Sequence, residues 1–324
     1  MKTKDELLFF LENNKGHYIS GEEIASALSI SRTAVWKAIS SLKDDGYIIN
    51  AVRNKGYMLS EDTDIISVHG IRRFLTPLAS VVDISVYPVV TSTNTLLKEL
   101  ASAGAPEGTI VIAGMQTQGK GRIGRSFYSP SDTGVYISIL LRPGNSSNLA
   151  VRTTTMAAVA ACEAIEDVSE KNALIKWVND IYIDGKKVSG ILTEASFGLE
   201  DGHIDYAVLG IGFNAYYPKD GFPDEIESIA TVVYPERKSD GKNLLAAHFI
   251  NHFFKYYKSS DHTDYTEKYR KRSLVIGKEI NILYPDRTES AVAIDVDDEC
   301  HLVVRYPDGT TGSLSTGEIS IRIK

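Results

Sequence analysis

The sequence predicts an α+β protein in three parts: a small helical module, a mixed α/β body and a C-terminal β-barrel. Three observations predict this. At 324 residues the chain exceeds what one hydrophobic core usually organises. Its apolar periodicity changes from helical spacing, to alternating strands and helices, to short strands split by turn dipeptides. An apolar-free acidic break, Glu61-Asp62-Thr63-Asp64, reads as the linker between the first two parts. The expected domains are residues 1–62, 66–272 and 273–324.

Composition narrows the class. An apolar fraction of 43% is ordinary for a folded protein and opposes long disorder. Two cysteines, Cys162 and Cys300, make no disulfide framework, so a reducing, cytoplasmic setting is expected. Cys162 follows the run Ala157 to Ala161 and reads as a small core residue, not a nucleophile. The charged start, Met1 to Glu6, is no signal peptide, and no run of about eighteen apolar residues predicts a membrane span. A net charge of -7 argues against general nucleic-acid binding. Residues 1–60, however, carry eight Lys/Arg against seven Asp/Glu, so a focused basic patch can still operate there.

The first module opens with Ser20-Gly21-Glu22-Glu23, a capping box in which the Ser20 hydroxyl accepts from the Glu23 N–H. Ile24, Ala25 and Leu28 then share one helical face, Ser29-Ile30 turns, and Ser31 caps a second helix to about Lys43. Val35, Ala38, Ile39 and Leu42 form its buried stripe. The opposite face offers Arg32, Thr33, Trp36, Lys37 and Ser40, groups suited to base edges and phosphates in a major groove. Strands Tyr47 to Ile49 and Tyr57 to Leu59 are joined through Arg53-Asn54-Lys55-Gly56, whose Arg53 and Lys55 suit a phosphate backbone. A protein–protein module is the alternative, and the basic tip favours DNA. Most of residues 5–60 resembles the winged helix-turn-helix of bacterial regulators.

In the body, strands are expected at residues 81–86, 109–113, 134–141, 180–183, 190–195 and 205–209. Helices are expected at 92–101, 149–168 and 241–258. After 273, Pro285-Asp286, Asp297-Asp298 and Asp308-Gly309 separate the short strands of the barrel.

Two glycine patterns imitate nucleotide motifs. Gly114 to Lys120 starts a Walker loop, but Gly121 stands where a hydroxyl must hold Mg²⁺. Gly119, Gly121 and Gly124 fit a dinucleotide fingerprint, yet Arg125 to Pro130 is no helix to carry it. Gly210-Ile211-Gly212 fails likewise before Tyr216-Tyr217-Pro218. What the first loop does offer is Lys120, Arg122 and Arg125 among glycines, a flexible basic cradle for a polyphosphate.

Four segments now combine: Ser92-Thr93-Asn94, Gln116 to Phe127, Lys176 to Asp180 with Lys187 to Gly190, and Gly210 to Asn214. In this order, behind a winged helix and ahead of a small β domain, the whole chain resembles the bifunctional biotin–protein ligase/biotin operon repressor family. The resemblance implies a central ligase domain and an SH3-like barrel at the C-terminus. It implies attack of biotin carboxylate on the α-phosphate of ATP, giving biotinyl-5′-AMP, then transfer to a lysine of biotin carboxyl carrier protein. Two anions must meet in the first step, so cations have to offset their repulsion. Lys187 is the implied central cation, with Arg122 and Arg125 clamping phosphates. Biotin would lie against Ser92, Thr93, Asn94, Gln116, Gly119, Lys120, Gly121, Arg122, Lys187 and Gly190. ATP would meet Arg122, Arg125, Phe127, Asn179, Asp180 and Asn214, with Asp180 serving Mg²⁺. Operator DNA and a ligand-promoted homodimer are the other implied partners.

The chain departs from the family pattern at Lys120, Phe127 and Val178, which replace the usual Arg, Trp and Pro. Lys120 keeps charge without a bidentate fork, and Phe127 keeps a stacking face. His248 and His252 have the spacing of a zinc pair. No Glu follows His248, however, and the surrounding Phe249, Phe253 and Phe254 favour a packed amphipathic helix. Glu318 is expected to pair with a basic residue across a domain interface. A lipoate–protein ligase and a ligand-sensing repressor without catalysis remain alternatives.

Overall fold

The computed structural model describes residues 2–142, 149–197, 204–259, 263–315 and 320–323; Glu318 lies outside them. Helices α1 (Lys2–Asn13), α2 (Gly21–Ala27) and α3 (Arg32–Asp44) pack with the hairpin β1 (Ile49–Val52) and β2 (Gly56–Leu59). They enclose a core of their own, centred on Leu7, Leu11, Ile24, Val35, Ile39 and Leu42. Both predicted caps form: Ser20 Oγ accepts from Glu23 N–H at 3.0 Å and Ser31 Oγ from Ala34 N–H at 3.1 Å. Each such cap contributes about 1 kcal/mol. The first strand starts at Ile49, later than its sequence suggests, because Tyr47 N–H closes onto Leu42 O (3.0 Å) and its ring packs into the core. Gly56, at φ +100°, lets Tyr57 pair with Ile19; a Cβ there would lie 2.0 Å from Ile19 O.

The body contains α4 (Val68–Arg72), β3 (Asp83–Tyr87), α5 (Thr93–Ser102), β4 (Thr109–Ala113), β5 (Gly134–Leu141) and α6 (Leu149–Val168). It continues with β6 (Leu174–Lys176), β7 (Asp180–Ile183), β8 (Lys186–Phe197), β9 (Ile204–Asn214), α7 (Asp224–Glu227), α8 (Gly241–Tyr257) and α9 (Thr263–Lys271). Seven strands form one sheet in the order β3-β4-β5-β9-β8-β7-β6, antiparallel except for β3 with β4. Strand β5 is buried along its whole length, as a continuous apolar run requires. The small residues Ala157 to Ala161 of α6 are fully buried, and Phe213 of β9 meets Phe249 of α8 edge-on at 5.6 Å. Cys162 lies in this core, where burial pushes its thiol well above the usual range. Strands β8 and β9 run longer than the sequence patterns suggest, and β9 continues through Gly210 to Asn214.

The C-terminal part comprises β10 (Glu279–Leu283), β11 (Thr288–Val296), β12 (Leu302–Arg305), β13 (Thr311–Leu314) and β14 (Ser320–Ile323). They form an antiparallel sheet in the order β13-β12-β11-β10-β14, whose edge strands do not pair with each other among the described residues. Its buried face joins the core of the body, and Trp177 Nε1 donates to Cys300 O at 3.1 Å.

The acidic segment read as a linker is clamped between the first two parts. Thr63 and Asp64 are buried, Asp64 Oδ1 accepts from Lys242 N–H at 2.9 Å, and Lys15 Nζ donates to Thr63 O at 2.8 Å. Beside them lies a charge-balanced quartet. Asp240 Oδ1 pairs with Lys15 Nζ at 2.6 Å; Arg73 Nη1 reaches Asp240 Oδ2 at 3.2 Å and Glu12 Oε2 at 3.0 Å. Burial pushes the Glu12 carboxyl above its ordinary range, and the charges of Lys15 and Arg73 partly oppose this. Asp240 stands at the N-cap of α8 at φ +52° without capping it, so its carboxylate serves the quartet. Replacing Asp240 by Ala strands the buried Lys15 ammonium. The expected loss is about 3–5 kcal/mol of unfolding free energy, measured by urea titration.

Candidate active site

A cleft opens over the middle of the large sheet. Ser92, Thr93, Asn94, Gln116, Lys120, Gly121, Phe127 and Gly190 line it together with Leu192, Gly210 and Gly212. Alternation along the strands explains its floor, because Gly190 and Leu192 of β8 face Gly212 and Gly210 of β9. Three of these four positions lack a side chain. A Cβ at Gly210 would lie 2.2 Å from Asn94 Oδ1, and one at Gly212 would lie 2.4 Å from the Phe127 ring. Asn94 and Phe127 therefore rest directly on the backbone of the sheet.

The residues that start α5 and their neighbours are held by a polar network. Gln116 Oε1 accepts from Thr93 N–H at 2.8 Å and from its hydroxyl at 3.0 Å, while Gln116 Nε2 donates to Ser129 Oγ at 3.1 Å. Ser138 Oγ lies 2.6 Å from Asn94 Oδ1 and 2.8 Å from Thr93 Oγ1. Asn94 Nδ2 donates to Glu194 Oε2 at 2.8 Å, and Lys98 Nζ meets Glu194 Oε1 at 2.5 Å. Burial raises the Glu194 pKa, but these two hydrogen bonds and the Lys98 charge outweigh it, so the carboxyl sits below its ordinary range. Ser92 is buried at the N-cap of α5 and makes no side-chain cap bond.

The basic glycine segment, expected to be flexible, folds as a hairpin. Gly121 N–H donates to Arg125 O at 2.7 Å and Phe127 N–H to Gly119 O at 2.9 Å. The Gly121 amide is thus engaged within the hairpin rather than presented to an anion. Ile123 and Gly124, both at positive φ, form the tip. A Cβ at Gly119 would lie 2.3 Å from Phe127 O, so glycine there permits the hairpin's closure.

The cations converge from several elements. Opposite β8, a bulge falls between Ile181 and Tyr182, so Lys187 faces Tyr182 while Gly190 faces Asp180. Lys187 and Gly190 are three residues apart and would otherwise point to opposite faces. Lys187 Nζ instead pairs with Asp180 Oδ1 at 2.6 Å and lies 5.9 Å from the centre of the Phe127 ring. A Cβ on Gly190 would approach Lys187 Nζ to 3.1 Å. Arg122 lies in an adjoining cleft with Thr154, Val178 and Thr193, which shares Ile191 and Leu192 with the first. Its Nη1 donates to Asn179 Oδ1 at 3.3 Å; burial lowers its pKa, and the Asp180 charge opposes that. Arg125 is exposed on the hairpin, and Asn214 donates to Thr231 O at 3.1 Å from the end of β9.

Four contributors were not singled out from sequence. Gly210 and Gly212 entered only within the segment Gly210 to Asn214, although glycine at alternate strand positions signals close approach. Lys176 is lowered by burial, raised by Asp180 and lowered further by Lys187, Arg125 and Arg322. Arg322 comes from β14, and nothing local in its sequence announces that placement.

Residues 86–214 match the Biotin/lipoate A/B protein ligase family, residues 3–58 an HTH domain and residues 275–322 the Biotin protein ligase C terminal domain. The chain is 34% identical over 313 residues to the bifunctional ligase/repressor BirA of Bacillus subtilis, covering 94% of this chain and 95% of that protein. Identity to the Escherichia coli BirA is 25% over 321 residues, covering 98% and 96% respectively. Among solved structures, the Aquifex aeolicus biotin protein ligase in complex with biotin and ATP superposes with a TM-score of 0.63. That match is at 27% identity and covers 75% of this chain and 99% of that one. With the three matches in this order and a relative shared almost end to end, the chain belongs to the BirA family of bifunctional biotin ligase/repressors.

Proposed function

We propose that this chain joins biotin to ATP as biotinyl-5′-AMP and transfers the biotinyl group to a lysine of biotin carboxyl carrier protein. The persisting adenylate then promotes a homodimer that represses biotin genes in the cytoplasm. The observation that supports this reading is a glycine-floored cleft bordered by Ser92, Thr93, Gln116 and Lys120, with Lys187 Nζ against its Gly190 and Phe127 and Arg122 in the adjoining cleft.

In the first step a biotin carboxylate oxygen attacks the α-phosphorus, and the bond to the bridging oxygen of pyrophosphate breaks. Lys187 offsets the repulsion between the two anions at the point of attack. Asp180 holds its ammonium toward Gly190 beforehand, which limits the reorganisation needed. Ser92, Thr93, Asn94 and Gln116, with Gly119, Lys120, Gly121 and Gly190, bind biotin. Arg122 and Arg125 clamp phosphates, Phe127 stacks on adenine, and Asn179 and Asn214 contact the nucleotide. Asp180 fits Mg²⁺ as a single carboxylate, the role such an ion takes beside phosphate oxygens while keeping several waters. Mg²⁺ supplies charge neutralisation on the phosphates. In the second step the carrier lysine, with a reference pKa of ~10.4, must lose a proton. Asp180, already 2.6 Å from one ammonium, is placed to accept it.

The DNA surface follows from exposure. Arg32, Thr33, Trp36 and Lys37 of α3 face solvent, as do Arg53 and Lys55 at the wing tip, with Ser40 partly covered. Closure of the C-terminal sheet as an SH3-like barrel belongs to the same reading.

Exchange of labelled pyrophosphate into ATP, run separately with biotin and with lipoate, tests the chemistry. Exchange with biotin alone is expected. Exchange with lipoate instead would assign the other ligase activity, and exchange with neither would leave a sensor without catalysis. Lys187→Met is expected to slow the biotin reaction by ~10²–10³-fold while the fold, checked by circular dichroism, stays intact. For DNA, Lys55→Ala is expected to reduce the slope of log K against log salt by about 1, read by anisotropy on a footprinted fragment.

A further inference from the structure

Helices α6 and α8 pack against each other and bring a second set of ligating groups together, away from the cleft. On α8, His248 and His252 stand one turn apart, and on α6 so do Glu163 and Asp167. Asp167 Oδ2 lies 2.8 Å from His248 Nδ1 and 2.7 Å from His252 Nε2. The three ligand atoms all fall within 4.8 Å of one another. The sequence spacing lacked a third donor, and the neighbouring helix supplies it.

The other nitrogen of His252 is also engaged. Glu163 Oε2 lies 3.1 Å from His252 Nδ1, and Glu163 is itself held by Tyr256 Oη at 2.7 Å and Lys268 Nζ at 3.2 Å. A carboxylate on the far nitrogen of a metal-bound histidine fixes its tautomer and ring orientation; here it aims Nε2 at Asp167, and an ion would take the place of that hydrogen bond. A supported chain of this kind distinguishes a built metal site from an accidental pair of histidines.

We propose that His248 Nδ1, His252 Nε2 and Asp167 Oδ2 form a binding site for a Zn²⁺-class divalent transition ion, with water as the remaining ligand, that staples α6 to α8. Two neutral imidazoles and one carboxylate suit such ions and disfavour Mg²⁺ or Ca²⁺. Ligand atoms around tetrahedral Zn²⁺ sit ~3.3 Å apart, so Asp167 Oδ2 must move back from the two nitrogens by about half an ångström to admit the ion. All three side chains are partly exposed, which leaves a path for entry. The site is distinct from the proposed catalytic cleft: Asp167 lies thirteen positions along α6 from Thr154, which borders the Arg122 cleft, or about 20 Å. A second group, Asp297, Glu299 and His301, is less suited, because Asp297 Oδ1 already accepts from Glu299 N–H at 3.0 Å and His301 N–H at 2.8 Å.

The test uses the full, tag-free chain, stripped with a chelator and free of nucleotide, titrated with Co²⁺ at neutral pH. The expected result is a set of visible bands of four-coordinate Co²⁺, saturating at about one ion per chain and displaced by Zn²⁺. His248→Ala and Asp167→Asn should abolish the bands, Glu163→Gln should weaken binding by about 10–100-fold, and His301→Ala should change nothing. Zn²⁺ should also raise the melting temperature of the parent chain but not of Asp167→Asn, whose fold circular dichroism verifies. A featureless titration of the parent, bands that survive His248→Ala, or bands lost with His301→Ala would overturn the proposal.

Discussion

Lys187 reaches the cleft because β8 carries one more residue than β7 across the bulge at Ile181/Tyr182. In a regular pairing, Lys187 and Gly190 would face opposite sides of the sheet, and the ammonium would not lie against Gly190 and the Phe127 ring. The bulge also sets Asp180 opposite Gly190, so the carboxylate that steadies Lys187 comes with the same register. One inserted residue thus places a cation, its counter-ion and an open patch of backbone together. The remaining parts of the site only have sense around that patch.

Two rows run across the sheet from it. Along one, Asp180, Gly190, Gly212 and Tyr136 follow each other, with the Phe127 ring lying on the glycines and edge-on to Tyr136. Along the other, Leu192, Gly210 and Ser138 carry the Asn94 side chain. Glycine at three strand positions weakens the strand locally. The loss is offset because β5, β8 and β9 are central in the sheet and buried on the far side by α6 and α8. A floor without side chains requires a well-covered sheet behind it.

Much of this was legible in the sequence, and the limits have physical causes. Helices with clear caps and stripes were readable because their signals are local: Ser20, Ser31 and the Val35 to Leu42 stripe each act within two turns. The association of Ser92, Gln116, Lys120 and Gly190 came from resemblance in motif order, since no local rule brings four distant segments to one cleft. A continuous apolar run showed β5, whereas Gly210 and Gly212 entered only by motif order, because a glycine pattern alone does not reveal a strand under a close neighbour. Arg322 stayed hidden, and Lys176 was read only as part of the Lys176 to Asp180 segment, for a related reason. Their meeting depends on how the C-terminal sheet docks, a property of tertiary packing. The acidic segment misled in the opposite sense, since charge suggested solvent where Thr63 and Asp64 are in fact buried.

That buried segment bears on modularity. The first helix contributes Glu12, the turn after it contributes Lys15, and both close on the residue from which α8 starts. A DNA-reading part attached this way is no detachable cassette. Grafting a foreign one onto this body would have to reproduce a matched set of opposite charges at the junction, and gene fusion or shuffling in such a lineage is correspondingly constrained.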